Sequence, residues 1–184
     1  MRKEILSVIG KGIYKAQGWK FEETPEYWQE KQVLIAFPHT RVMDTVRAFT
    51  GFAIIKQKGH IMVKKEAFKG AFGPLLKGIG GVPVDRKSAN GVVSDMVDEF
   101  SKRDTFQLSM VPEGTRGKAK RIKTGFWHIA KQAGVPITCW YLDNENKRTI
   151  WVGQVQPTDS MEDDLKVIKK MYARVGYEMP TEFR

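Results

Sequence analysis

Two residues in the stretch FPHTRVMDTVRAF have side chains suited to joint work in proton transfer. His39 offers an imidazole that exchanges a proton near neutral pH, and Asp44 a carboxylate that can orient it. Their interval is awkward. On a straight helix, five steps of about 100° leave two side chains about 140° apart. They converge only if His39 stands in a loop and Asp44 in the first turn of a helix beyond it. Taken alone, the pair reads equally as a surface histidine and a helix-capping aspartate. Two later segments carry groups of another kind. GGVPVDR ends in Arg86, and VPEGTRGK holds Glu113 and Arg116. A guanidinium can grip phosphate oxygens through two parallel hydrogen bonds. The plainer alternatives are an Asp85–Arg86 pair and a Glu113–Arg116 salt bridge, each contributing under about 1 kcal/mol if exposed.

Positioning these residues falls to an alternation of strands and helices. VLIAF (33–37) reads as a buried strand, followed by a helix from about 43 to 52. HIMVKK (60–65) reads as a strand, EAFKGAFGPLLKGIG (66–80) as a helix weakened by its glycines, and GVPVD (81–85) as a short strand. A helix from about 89 to 102 carries Val92, Val93, Met96, Val97 and Phe100 on one side. FQLSMV is strand-like, and TGFWHIAKQAG is a helix that Gly134 can end. VPITCWYL and TIWVGQV are strands, and the last helix starts at a capping box, Ser160 with Asp163. The alternation predicts one α/β domain, its sheet mainly parallel and covered by helices. Ligands of such open sheets sit outside the carboxyl ends of the strands. His39, Arg86 and Glu113 each follow a predicted strand closely, so the fold would gather them on one rim.

The bulk properties set limits. The 184 residues suit one domain, and 41% apolar residues can bury a core without disulfides. The lone cysteine, Cys139, reads as a buried strand residue in a reducing compartment. No stretch approaches the roughly 18 apolar residues of a membrane span, and the N-terminus lacks the cleavage site of a signal peptide. Residues 1–24 nevertheless form an amphipathic segment, with Ile5, Val8, Ile9 and Ile13 at helical spacing and Lys3, Lys11 and Lys15 nearby. Such a helix either lies on a membrane surface or docks on the core, residues 25–184. The net charge of +10 is concentrated: residues 56–87 hold eight Lys or Arg against Glu66 and Asp85, and KAKRIK (118–123) adds four. This favours an anionic partner, whether a phospholipid surface, a nucleic acid or a phosphorylated substrate.

The order PHTRVMD (38–44), GGVPVDR (80–86), VPEGTRGK (111–118) and GVPI (134–137) resembles the glycerolipid acyltransferase family, of which 1-acylglycerol-3-phosphate acyltransferase is the best-known type. The resemblance runs from about residue 31 to 142. It implies an acyltransferase-type fold and transfer of a fatty acyl group from acyl-CoA or acyl-carrier protein to a lysophospholipid hydroxyl. It makes His39 the general base and Asp44 its orienting partner. Arg86, Glu113, Gly114, Thr115 and Arg116 become acceptor-binding residues. Lys123, in KTGFWHIA, matches a further Lys-x-Gly that often follows the Glu-Gly-Thr-Arg block. Between His39 and Asp44 the family often has Ser and an aromatic, where this chain has Thr40, Arg41, Val42 and Met43. Arg41 thus adds a cation that can recognise phosphate or disfavour protonation of His39.

The chain has no Gly-x-Ser-x-Gly elbow, which favours direct attack by the acceptor over an acyl-enzyme. His60 and His128 read as structural. Three scattered histidines and one cysteine predict no closed metal site, and no bound cofactor is implied. The expected setting is cytoplasmic and peripheral to an anionic membrane, with no nucleic-acid partner. Two other readings stand beside this one: a non-catalytic basic module for anionic membrane or nucleic acid, and a thioester hydrolase on the same scaffold.

Overall fold

In the computed structural model, residues 2–38, 42–71, 73–85, 88–113 and 121–183 are described. The chain begins with helix α1 (Arg2–Ala16) and strand β1 (Lys20–Phe21). Strand β2 (Lys31–Phe37), helix α2 (Val42–Ile54), strand β3 (Gly59–Lys64), helix α3 (Gly73–Gly78) and strand β4 (Gly81–Val84) follow. Next come helix α4 (Ala89–Ser101), strand β5 (Phe106–Met110), strand β6 (Arg121–Ile122) and helix α5 (Gly125–Ala133). Strands β7 (Ile137–Asp143) and β8 (Arg148–Val155), helix α6 (Met161–Arg174) and strand β9 (Glu182–Phe183) complete it.

Seven strands form one sheet in the order β1-β8-β7-β2-β5-β3-β4. Pairing is parallel throughout except between β7 and β8, which form an antiparallel hairpin. Strand β2 lies at the centre, and six of its seven residues are buried. Five of these, residues 33–37, make the continuous apolar run expected of a parallel strand covered on both faces, and the sixth is Gln32. Val33, Ile35 and Phe37 enter one core with Met96 and Phe100 of α4, Phe126 and Ile129 of α5, and Ile168 and Tyr172 of α6. Ala36 points the other way, into a second core with Tyr14, Trp19, Trp140 and Leu142. Helices therefore cover both faces, and the architecture is the α/β domain expected.

Local signals hold where a single residue type decides the geometry. Gly134 ends α5 at φ 67°, and the Ser160 hydroxyl accepts from the Asp163 amide at the start of α6. Residues 66–80, in contrast, do not form one helix. A 3-10 turn (Lys65–Phe68) gives way to the short α3. A Cβ on Gly73 would lie 2.3 Å from the Phe68 carbonyl oxygen, so this glycine permits a close chain crossing that an unbroken helix would not make.

Helix α1 is tied to α2. Ser7 donates a 2.8 Å hydrogen bond to the Ile54 carbonyl, and Tyr14 donates a 3.0 Å bond to the Arg47 carbonyl. Between them, a Cβ on Gly10 would come within 3.0 Å of Ile54 and 3.2 Å of the Thr50 carbonyl oxygen, so the helices meet almost backbone to backbone. The docked face uses residues 7, 10 and 14, and the rest of the helix keeps Ile5, Leu6, Val8, Ile9 and Ile13 exposed. Docking on the core and an outward apolar face, posed as alternatives by the sequence, coexist.

Candidate active site

The strand registers define a rim. Ile35 pairs with Met110, His60 with Leu108, and Lys64 with Val84. Continued by two residues from Ile35–Met110 and by four from His60–Leu108, these pairings set Phe37, Pro112, Lys64 and Val84 at one level across β2, β5, β3 and β4. At about 4.8 Å between strands, the chain leaves β2 and β5 about 5 Å apart, and leaves β4 about 10 Å beyond β5. The segments entered from these exits are those that carry the proposed chemistry. His39, Arg41, Arg86, Gly114, Thr115 and Arg116 lie outside the described residues. Asp44, Glu113 and Lys123 lie within them.

Asp44 sits in the first turn of α2 and is 1% exposed. Arg47, one turn on, donates from Nη1 to its Oδ1 at 3.0 Å. Two contacts hold that arginine: its guanidinium carbon lies 4.1 Å from the centre of the Trp19 ring, and its carbonyl accepts from Tyr14. Burial raises the Tyr14 phenol well above its ordinary value, so it stays a donor. A buried carboxylate is thus fixed in place by a cation braced against an aromatic ring. Such a carboxylate is suited to orient an imidazole and to stabilise its charged form.

Glu113, just beyond β5, is also buried. Tyr177 donates to its Oε1 at 2.9 Å. Burial, and then the Glu113 carboxylate, raise the Tyr177 phenol from its ordinary value. Lys123 keeps an exposed side chain, but its amide donates to the Pro112 carbonyl at 3.0 Å. That bond brings Lys123 to the Glu113 turn, on the rim where an anion-binding role would need it.

His60 lies four residues below the rim on β3, about 13 Å away along the strand. It packs against Phe106 at 4.6 Å between ring centres, with an Arg103 Nη1 3.4 Å from its Nε2. Burial and the neighbouring Arg103 and Lys58 depress it to about 4, so it is neutral near pH 7 and apart from the rim. His128, on α5, stands edge-on to Trp127, whose indole donates to Asp164 at 2.8 Å. Among the described residues, no group of three or more His, Cys, Asp or Glu could hold a metal ion.

Arg47 and Tyr177 are additions that the sequence reading lacks. Arg47 had a visible signal, an Asp-x-x-Arg spacing in a first helical turn. Tyr177 had none, lying 64 residues from Glu113.

Known proteins add two findings. A family model described as Acyltransferase matches residues 20–142. The crystal structure of the 1-acyl-sn-glycerophosphate (LPA) acyltransferase PlsC from Thermotoga maritima is similar, with a TM-score of 0.60 at 14% sequence identity. The similarity covers 96% of this chain and 80% of that one, and at such low identity it shows a shared fold. No curated protein sequence matches.

Proposed function

From the premise that this chain belongs to the Acyltransferase family, we propose that it moves a fatty acyl group from a thioester, acyl-CoA or acyl-carrier protein, to a lysophospholipid hydroxyl. An acceptor such as 1-acylglycerol-3-phosphate suits the basic residues of its motif segments. In this reading His39 takes the hydroxyl proton as the oxygen attacks the thioester carbonyl, and Asp44 steadies the resulting imidazolium. Collapse of the tetrahedral intermediate breaks the carbon–sulfur bond, and the imidazolium returns its proton to the departing sulfur. Arg86, Arg116, Arg41 and Lys123 would hold the acceptor phosphate, with Glu113, Gly114 and Thr115 shaping its site. The observation that carries the reading is the buried, arginine-braced Asp44 on the helix that follows the central strand, at the rim where β4 and β5 also end.

The exposed face of α1 supports a peripheral place on an anionic membrane. Ile5, Val8 and Ile9 are more than half exposed, at 54%, 70% and 52%, and Met43 and Val46 of α2 extend the apolar surface. Lys3, Lys11 and Lys15 supply the positive charge that an anionic lipid surface attracts. Among the described residues no helix is long and apolar enough to cross a membrane. Ile9→Glu should weaken sedimentation with vesicles containing anionic phospholipid while leaving the fold intact; unchanged sedimentation removes α1 from the contact.

The decisive assay supplies acyl-CoA and lysophosphatidate and follows free thiol, with the lipid products read by mass spectrometry. Wild type should form diacylated phosphatidate, and His39→Ala should lose roughly 10²- to 10⁴-fold in rate. Equal, slow thiol release by both proteins over a panel of acceptors rules the reading out. Release of free fatty acid in place of acylated lipid would make the protein a hydrolase.

A further inference from the structure

The last residues of the chain reach back to the rim. After α6, Gly176 takes φ 80° and turns the chain, so that Tyr177 lies against Phe37 at 5.6 Å and Tyr141 at 5.9 Å between ring centres. Its hydroxyl meets Glu113, Met179 is buried, and β9 then pairs in parallel with β6, Glu182 opposite Arg121 and Phe183 opposite Ile122. The Arg121 and Glu182 side chains close a salt bridge at 2.5 Å. The tail therefore grips both ends of the segment that runs from Glu113 to Ile122. The hydrogen bond from the Lys123 amide to the Pro112 carbonyl pinches the base of the same segment shut. Arg116 belongs to this segment, whereas the tail lies wholly beyond the residues that the family model matches.

We infer that Tyr177 is a positioning residue for acceptor binding, which it serves by holding Glu113 through the 2.9 Å hydroxyl–carboxylate bond. The inference rests on the acyl-transfer reading and names a group outside the four motif blocks. A phenol suits the task because it fixes one carboxylate oxygen without neutralising the charge, as a lysine or arginine would. Burial keeps it protonated, so the donor is present through the neutral range. The ring packing is separable from the hydroxyl, because Phe37 and Tyr141 would meet the same ring in a phenylalanine.

The test is Tyr177→Phe, with KM measured separately for lysophosphatidate and for acyl-CoA. Loss of a hydrogen bond to a charged group should raise the acceptor KM roughly tenfold. The donor KM should stay within about twofold. In a Glu113→Gln background the same change should have little further effect, because the two residues act as one unit. An acceptor KM within about twofold of wild type overturns the inference, as does an equal change in both KM values that tracks a lower melting temperature. If Tyr177→Phe folds poorly, Glu113→Gln alone decides. A raised acceptor KM with an unchanged donor KM supports the inference, and unchanged kinetics overturn it. His39→Ala separates the two levels. A dead His39→Ala beside a normal Tyr177→Phe sinks the positioning role alone, whereas a fully active His39→Ala sinks the acyl-transfer reading and takes this inference with it.

Discussion

The two ends of the central sheet both bury polar groups, and they do so by different chemistry. At the amino end the groups are neutral. Gln107 donates to the carbonyls of Gln29 and Glu30, each at 2.9 Å, and Gln32 donates to that of Gln29 at 3.2 Å. Gln154 donates to the Tyr27 carbonyl and to Thr138, whose hydroxyl donates in turn to Gln32. These amides stitch the segment that precedes β2 to the undersides of three strands. At the carboxyl end the groups are carboxylates, Asp44 held by Arg47 one turn along its own helix and Glu113 held by Tyr177, 64 residues away. A neutral network returns its desolvation cost in mutual hydrogen bonds. A buried carboxylate needs a partner chosen for charge, and such an arrangement often marks chemistry. The contrast divides the molecule into an end that holds the fold and an end where the proposed function puts the substrate.

Substitutions should separate the ends, and the largest effect belongs to the rim. Asp44→Asn should lower kcat/KM about a thousandfold, read by thiol release, because an amide cannot stabilise the imidazolium that forms. Near-normal turnover would reduce Asp44 to a helix-terminus residue. Arg47→Ala should cost about 3 kcal/mol in urea unfolding, since it takes a charged partner from a buried carboxylate. Arg47→Lys should recover part of the loss, although a compact ammonium cannot reproduce the stack on Trp19. Gln107→Leu should cost about 1 kcal/mol by removing one of the two donors to each of the Gln29 and Glu30 carbonyls, Gln32 and the Phe106 amide being left. Its kcat should match wild type; a large fall in kcat would erase the division of labour.

The smallest effect is a pH dependence at the amino end. His60, with Arg103, Lys58 and Glu99 around it, titrates near 4 in the folded protein against about 6.5 when unfolded. The unfolded chain therefore binds the proton first, and the contribution of His60 is complete above about pH 6.5 and falls as the pH drops toward 4. Between about pH 7 and 5.5 the loss is about 1 kcal/mol. His60→Phe should flatten that part of the stability curve, and a curve equally steep in the variant would place the titration elsewhere.

What could be read in advance follows from range. β2 was legible over residues 33–37 because a parallel strand covered on both faces is apolar on both, while its polar start, Lys31 and Gln32, carries no such signal. α5 and α6 were legible because Gly134 and Ser160 act on their own backbone. Residues 66–80 misled because the space at Gly73 is set by the Phe68 carbonyl, a tertiary fact that periodicity does not carry. The site divides the same way. Asp44 and Glu113 stood out through their motif neighbours, while Arg47 matters because Trp19, 28 residues earlier, is there to brace it. Tyr177 reaches Glu113 only after the chain has run through α5, the β7–β8 hairpin and α6. Nothing local to Tyr177 distinguishes it from Tyr141 or Tyr172.

The near-contact of backbones at Gly10 has a consequence for geometry. It packs the greasy outer helix close against the one that bears Asp44, meeting the Thr50 carbonyl and Ile54 at the crossing. If the protein rests on lipid through that outer helix as proposed, the helix bearing Asp44 lies only about one helix diameter, some 10 Å, above the bilayer. A single-tailed lipid could then present its hydroxyl while its hydrocarbon stayed in the leaflet. On the proposed function, a larger residue at position 10 should wedge α2 from α1 and move the site away from its lipid supply.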